Sequence, residues 1–171
     1  MAVITINKYG NPILRKKAKP IEKITSEELD LIDNMIETMV IAEGIGLAAN
    51  QIGIPKSIAV VNFSFFNEQL RPQALLNIEL IESKGSLILE EGCLSIPGIK
   101  EEVKRPESVK ISYMDVFGET KTLECEGLLA RVILHELDHL QGILFVDRLP
   151  PLKRKFLSSK LKKIIKGIEF T

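Results

Sequence analysis

Apolar residues recur at helical spacing at Leu29, Ile32, Met35, Ile36, Met39 and Val40, so one stripe of this segment faces a core. Thr25-Ser26-Glu27-Glu28, just before the stripe, reads as a capping box in which Thr25 accepts from the amide three residues on and Glu28 reaches back. The pattern predicts a helix that starts after Thr25 and is ended by Gly44. The period then changes. Ser57 to Asn62 is a short apolar run and Leu76 to Glu82 alternates in part. Val109, Ile111 and Tyr113 alternate with polar neighbours before a turn at Phe117-Gly118. These segments predict strands, paired antiparallel. Phe63 to Gln73 is a longer, aromatic-bearing connection with no assigned pairing. From about Glu126 to Gln141 the spacing is helical again. Here Leu128, Leu129, Ala130, Val132, Ile133, Leu134, Leu137 and Leu140 cover nearly the whole circumference, as in a helix buried in a core, and Gly142 stops it.

With no repeat and no Gly/Ser linker, residues 1–171 are expected to form one domain. The fold class expected is α+β: antiparallel strands around the buried central helix, with an N-terminal and a C-terminal helix packed outside. At 45% hydrophobic and 27% charged residues the chain is neither disordered nor collagen-like. Its 23 basic and 23 acidic residues cancel, which argues against a general nucleic-acid coat. The cancellation hides an asymmetry. Residues 151–171, read as a basic helical extension, hold seven basic residues and one acid, Glu169. Two cysteines cannot build a disulfide framework, no charged leader precedes an apolar run, and no stretch approaches the ~20 apolar residues of a membrane span. A cytoplasmic protein with no membrane partner is expected.

The chemistry begins inside the buried helix. His135 and His139 are four residues apart, so their rings project from one face as a metal clip, and Glu136 points about 100° round, within reach of a water on that metal. There is no third histidine. Phe145 occupies the place where a third helical-motif histidine would fall, and the only acids after His139 are Asp147 and Glu169. Cys125 lies ten residues before His135, mostly along helix, which puts its sulfur on the order of 12 to 15 Å away. Cys93, in Glu90-Glu91-Gly92-Cys93-Leu94-Ser95-Ile96-Pro97, sits on a turn free to approach the helix. An ordinary half-buried thiol is the alternative there.

Three ligands, Cys93, His135 and His139, leave a fourth position for water, whose pKa a metal lowers toward ~7, with Glu136 as general acid/base. That is hydrolysis of a carbonyl compound. A structural metal site has no need of Glu136, and an internal peptidase is the competing hydrolase. Gly44-Ile45-Gly46-Leu47-Ala48-Ala49-Asn50-Gln51 has two readings of equal weight. One is a tightly packed turn; in the other, Gly46 admits an extended ligand backbone and Gln51 offers an amide donor.

Gly44 to Gln51, Glu91-Gly92-Cys93-Leu94-Ser95 and His135-Glu136-Leu137-Asp138-His139-Leu140-Gln141-Gly142 resemble the GxGLAAxQ, EGCLS and HExDHxxG motifs of bacterial peptide deformylases. Pro12-Ile13-Leu14-Arg15 and Val103-Lys104-Arg105-Pro106 also look like segments of that family. The resemblance implies removal of the formyl group from N-formylmethionyl nascent peptides. It implies a divalent metal on Cys93, His135 and His139: iron(II) (Fe2+) natively, with Zn2+, Ni2+ or Co2+ as substitutes. It also implies oxyanion donors at the Gln51 side chain and the Leu94 backbone N–H, and a methionine pocket at Gly44, Ile45, Leu89, Glu91, Leu128, Arg131 and Val132. Arg131 is expected to extend its charged tip to the pocket mouth. Asp138 is expected to orient a ligand or pair with Arg131, or else to form a simple structural ion pair. Because such a substrate emerges from a ribosome, the basic segment becomes a candidate for contact with ribosomal RNA, the alternative being a solvated helix face.

Overall fold

The structure, a computed structural model, describes residues 2–168. The capping box forms. Glu28 accepts from the Thr25 amide at 3.0 Å and from the Thr25 hydroxyl, and helix α1 runs Ser26–Ile41. It ends earlier than the pattern predicts. Glu43 makes the left-handed turn at φ +57°, its N–H bonding Val40 O at 3.0 Å while the Gly44 N–H bonds Met39 O at 2.9 Å. A glutamate and not Gly44 therefore supplies the C-terminal motif. The buried stripe is Leu31, Ile32, Met35 and Met39, whereas Leu29 and Val40 are exposed. At 100° per residue those two lie about 120° to 140° round from Met35, past the edge of the buried face.

The strands in chain order are β1 Gly46–Ala48, β2 Ile58–Val61, β3 Gln73–Lys84, β4 Leu87–Cys93, β5 Ile96–Arg105, β6 Ser108–Met114 and β7 Thr120–Glu126. Five form an antiparallel sheet in the order β1-β2-β3-β6-β7, and β4 and β5 form a separate hairpin. Period-two geometry assigns the faces. Leu47, Ile58, Val60, Ala74 and Leu76 pack with α1, while Ala48, Ala59, Val61 and Leu75 pack with helix α2, Gly127–Leu140. The sheet is buried on both sides here, which is why β2 reads as an unbroken apolar run. The partial alternation of β3 has a local cause. Pairing with β6 slips between Leu76 and Glu79, where Asn77 turns to φ +51° and bonds both Ile21 N and Ile21 O at 2.8 Å.

The β4–β5 hairpin covers the other side of α2. Arg131 of α2 donates to Val103 O and Leu87 O of the hairpin, each at 2.7 Å. The α+β expectation therefore holds, with antiparallel strands on both sides of α2. Helix α3, Pro151–Ile165, packs outside through Leu157, Leu161 and Ile164 against Ile99, Val103 and Phe145. Residues 169–171 of the expected 151–171 extension lie outside the described residues. Among the described residues no helix is long and apolar enough to cross a membrane.

Candidate metal centre

One turn of α2 separates His135 from His139, and their ring centroids lie 4.8 Å apart. Cys93 ends β4 where the hairpin register slips, and Leu94-Ser95 reverse the chain over the helix. This places Cys93 Sγ 3.3 Å from His139 Nε2, which is 3.1 Å from His135 Nε2. All three donor atoms lie within 4.8 Å of one another. One thiolate and two imidazoles converging on a point fit a divalent transition metal, and three protein donors is the number a catalytic zinc-type site provides. Cys125, half-buried, is no part of this group; burial pushes its thiol up to about 11.

What orients the ligands is a buried ion network. His135 Nδ1 donates to Glu91 Oε1 at 3.0 Å, which leaves Nε2 as the ligand nitrogen. Glu91 also accepts from Arg105 Nε at 2.6 Å, Arg105 Nη2 at 3.0 Å and Arg131 Nη1 at 2.6 Å. Burial alone would raise the Glu91 carboxyl, but hydrogen bonds from His135 and Arg105 outweigh it and hold the group at about 2.

One expectation is corrected here, and one pair of alternatives is decided. Arg131 does not reach for the pocket mouth. It is 2% exposed, because its two terminal nitrogens meet a carboxylate and two hairpin carbonyls in place of water. Asp138 neither touches a ligand histidine nor pairs with Arg131, which lies about 10 Å away along the helix axis. It accepts instead from Arg105 at 2.8 Å and from Arg148 at 2.7 Å twice, so it is a structural ion-pair residue. Arg105 and Arg148 had no role assigned from sequence. The signal was present in Val103-Lys104-Arg105-Pro106, but nothing in it says which buried acid Arg105 meets.

A cavity of about 410 Å³ opens beside the donor atoms, lined among others by Gly44, Ile45, Gly46, Gln51, Glu91, Leu94, Leu128, Arg131, Val132 and Glu136. Leu89 is not among the described residues that line it. Four residues along an extended strand carry it about 13 Å from Cys93. Glu136 is 3% exposed with Oε2 unpartnered among the described residues, and burial pushes its carboxyl up to about 7. Gln51 Oε1 accepts from the Ala48 N–H at 2.9 Å, which turns Nε2 toward Ser95 Oγ at 3.1 Å and Cys93 Sγ at 3.7 Å.

Gly46 has a sharper function than the sequence suggests. It stands on an edge strand, and a Cβ there would lie 2.5 Å from Glu136 Oε1 and 2.9 Å from its Cδ. The absent side chain is what admits the carboxylate. Gly46→Ala is expected to displace Glu136 and lower kcat by on the order of 10²-fold, at an overpacking cost of about 1 to 3 kcal/mol. Steady-state kinetics beside a thermal melt checks this; unchanged kcat would show that Glu136 tolerates the methyl.

A family described as polypeptide deformylase matches residues 3–155 of the chain. The peptide deformylase of Thermodesulfovibrio yellowstonii is 45% identical over 162 residues, covering 95% of this chain and 98% of the relative. That of Tolumonas auensis is 46% identical over 167 residues, covering 98% and 99%. Among solved structures, a peptide deformylase from Legionella pneumophila superposes with a TM-score of 0.89 at 39% identity, covering 97% of each chain. One from Synechococcus elongatus in complex with actinonin gives 0.87 at 42%, covering 97% of this chain and 89% of that one.

Proposed function

The chain belongs to the polypeptide deformylase family, and from that premise we propose that it removes the formyl group from formylmethionine at the start of newly made peptides, releasing formate and a free amine. The observation that carries this is the convergence of Cys93 Sγ, His135 Nε2 and His139 Nε2 beside a cavity that Glu136 also lines. A divalent cation on those three donors supplies, when bound, the Lewis acidity that makes water a nucleophile near neutral pH.

The chain's own residues do the rest. Glu136 Oε2 takes the proton of the attacking water and returns it to the departing amine nitrogen. Gln51 Nε2 and the Leu94 N–H donate to the formyl oxygen as it gains charge, each donor worth about 3 to 4 kcal/mol at the transition state. Ile45, Leu128 and Val132 hold the methionine side chain, at about 25 cal/mol per Å² of apolar area covered. Leu128 is 39% exposed and so has surface for a ligand to cover.

Iron(II) is the native metal in this reading on the family resemblance alone; a thiolate and two imidazoles also accept Zn2+, Ni2+ or Co2+ as substitutes. Residues 1–171 act as one catalytic domain in the cytoplasm. The exposed face of α3, with Lys155, Lys160, Lys162 and Lys163 and the following Lys166, contacts ribosomal RNA through phosphate charge. Charge reversal at Lys160, Lys163 and Lys166 tests that contact without uncovering Leu157, Leu161 and Ile164. Ribosome binding unchanged at low salt would exclude it.

The activity is tested with anaerobically purified protein, elemental analysis, and formyl-Met-Ala-Ser assayed beside acetyl-Met-Ala-Ser and an unblocked longer peptide. Formate release with preference for the formyl group is expected. Preferred cleavage of an internal bond would make the protein a peptidase instead, and a metal-loaded protein that turns over nothing would make it a binding protein.

A further inference from the structure

The two groups that hold the formyl oxygen in the deformylase reading come from different elements. Gln51 belongs to the 3-10 turn Ala49–Ile52 and Leu94 to the reversal between β4 and β5. Three consecutive residues near the N-terminus join them. The Asn7 N–H donates to Gln51 O at 2.7 Å and Asn7 Nδ2 to the same oxygen at 3.2 Å; Lys8 Nζ donates to Leu94 O at 2.9 Å; the Tyr9 N–H donates to Ser95 O at 2.8 Å. The ring closes across the site, because Ser95 Oγ accepts from Gln51 Nε2 at 3.1 Å.

We propose that Asn7–Tyr9 is a strap that sets the spacing and orientation of Gln51 Nε2 and the Leu94 N–H, with Lys8 as its positioning residue. The inference rests on the deformylase reading of these two groups. Its physical basis lies in the reversal at Leu94-Ser95, where the ladder slips and consecutive peptide planes are held by contacts from outside the hairpin. An ammonium on Leu94 O is a charge-assisted bond, stronger than the neutral ones beside it. It fixes the plane that follows Leu94 and so restricts rotation of the plane that carries the Leu94 N–H. Lys8 is exposed and makes no part of the core, so its removal leaves no cavity. Donor placement is what its loss changes, and a shift of ~1 Å in such geometry can cost as much as 10²-fold in rate.

The test uses the full-length, metal-loaded chain with formyl-Met-Ala-Ser, comparing wild type, Lys8→Met, Lys8→Arg and the double variant Asn7→Ala/Lys8→Met. The methionine keeps the apolar stem and removes the donors. Lys8→Met is expected to lower kcat roughly three- to tenfold, the scale of one charge-assisted hydrogen bond partly replaced by water, and the double variant further. KM and the melting temperature stay unchanged, and Lys8→Arg restores kcat. Unchanged kcat in the double variant overturns the strap, as does a loss confined to KM. A kcat loss that arginine does not restore and that tracks a falling melting temperature also overturns it, since that is a structural role. A wild-type protein inert toward the formyl peptide overturns the deformylase reading itself, which separates the two failures.

Discussion

Glu136→Ala is expected to bind metal as the wild type does and to lose formate release by at least roughly 10² to 10⁴. The two halves of this expectation have separate causes. The metal donors Cys93, His135 and His139 approach one another without the Glu136 carboxylate, so deleting it removes no ligand. Proton transfer, by contrast, has no buried substitute among the described residues: Oε2 is the buried, unpartnered carboxylate oxygen at the cavity, and the other buried acid lining it, Glu91, is fully occupied by His135, Arg105 and Arg131. Stability should not fall, because the variant removes a carboxyl whose burial opposes its charged form. Elemental analysis and an initial-rate assay on one preparation check both halves. Full formate release by the variant would defeat the acid/base role, and loss of the metal would mean that Glu136 supports the ligands directly.

The ligand triad was legible from sequence because it follows from helix period and from eliminating other donors. His135 and His139 are fixed by four-residue spacing, and Cys125 is excluded by the length of helix between. The β4–β5 hairpin was not legible, for a physical reason. Its inward positions include Glu91 and Arg105, 6% and 4% exposed, beside apolar Ile99 and Val103. A strand that buries charges against one another does not show apolar alternation, so the segment around Cys93 reads as a turn. The same residues explain the buried position of Arg131. An arginine inside an apolar helix is expected to seek water unless its partner is known, and that partner is supplied by a strand whose inward face cannot be read in advance. Gly46 is a third case. A glycine in a small-residue run looks like turn chemistry, and only the packed helix shows that its missing side chain is occupied by Glu136.

Glu91→Ala is expected to destabilise the protein more than any other single change discussed here, by about 3 to 5 kcal/mol, because it leaves the Arg131 guanidinium in the interior without a carboxylate and Arg105 with Asp138 alone. For a domain of this size that corresponds to a fall in melting temperature on the order of 10 °C. The same change removes the acceptor that orients His135, so metal affinity should drop about 10- to 100-fold. Glu91→Gln separates these effects. It keeps an oxygen for His135 Nδ1 while losing the charge, and should retain more metal than Glu91→Ala. The carboxylate also sets how the fold responds to acid. Held at about 2 against an ordinary 4.5, Glu91 binds fewer protons in the folded than in the unfolded chain between those values. Its contribution, about 3 kcal/mol, is therefore complete above pH 4.5 and is lost as pH falls through that window toward 2. Glu28, held at about 2 by Lys56 and Thr25, adds a dependence of the same sign. Denaturant unfolding of wild type and Glu91→Gln across pH 2 to 6 isolates the Glu91 part, since every other acid is common to both. A wild-type curve no steeper than that of the variant would mean that Glu91 is not the paired, ionised centre of the network.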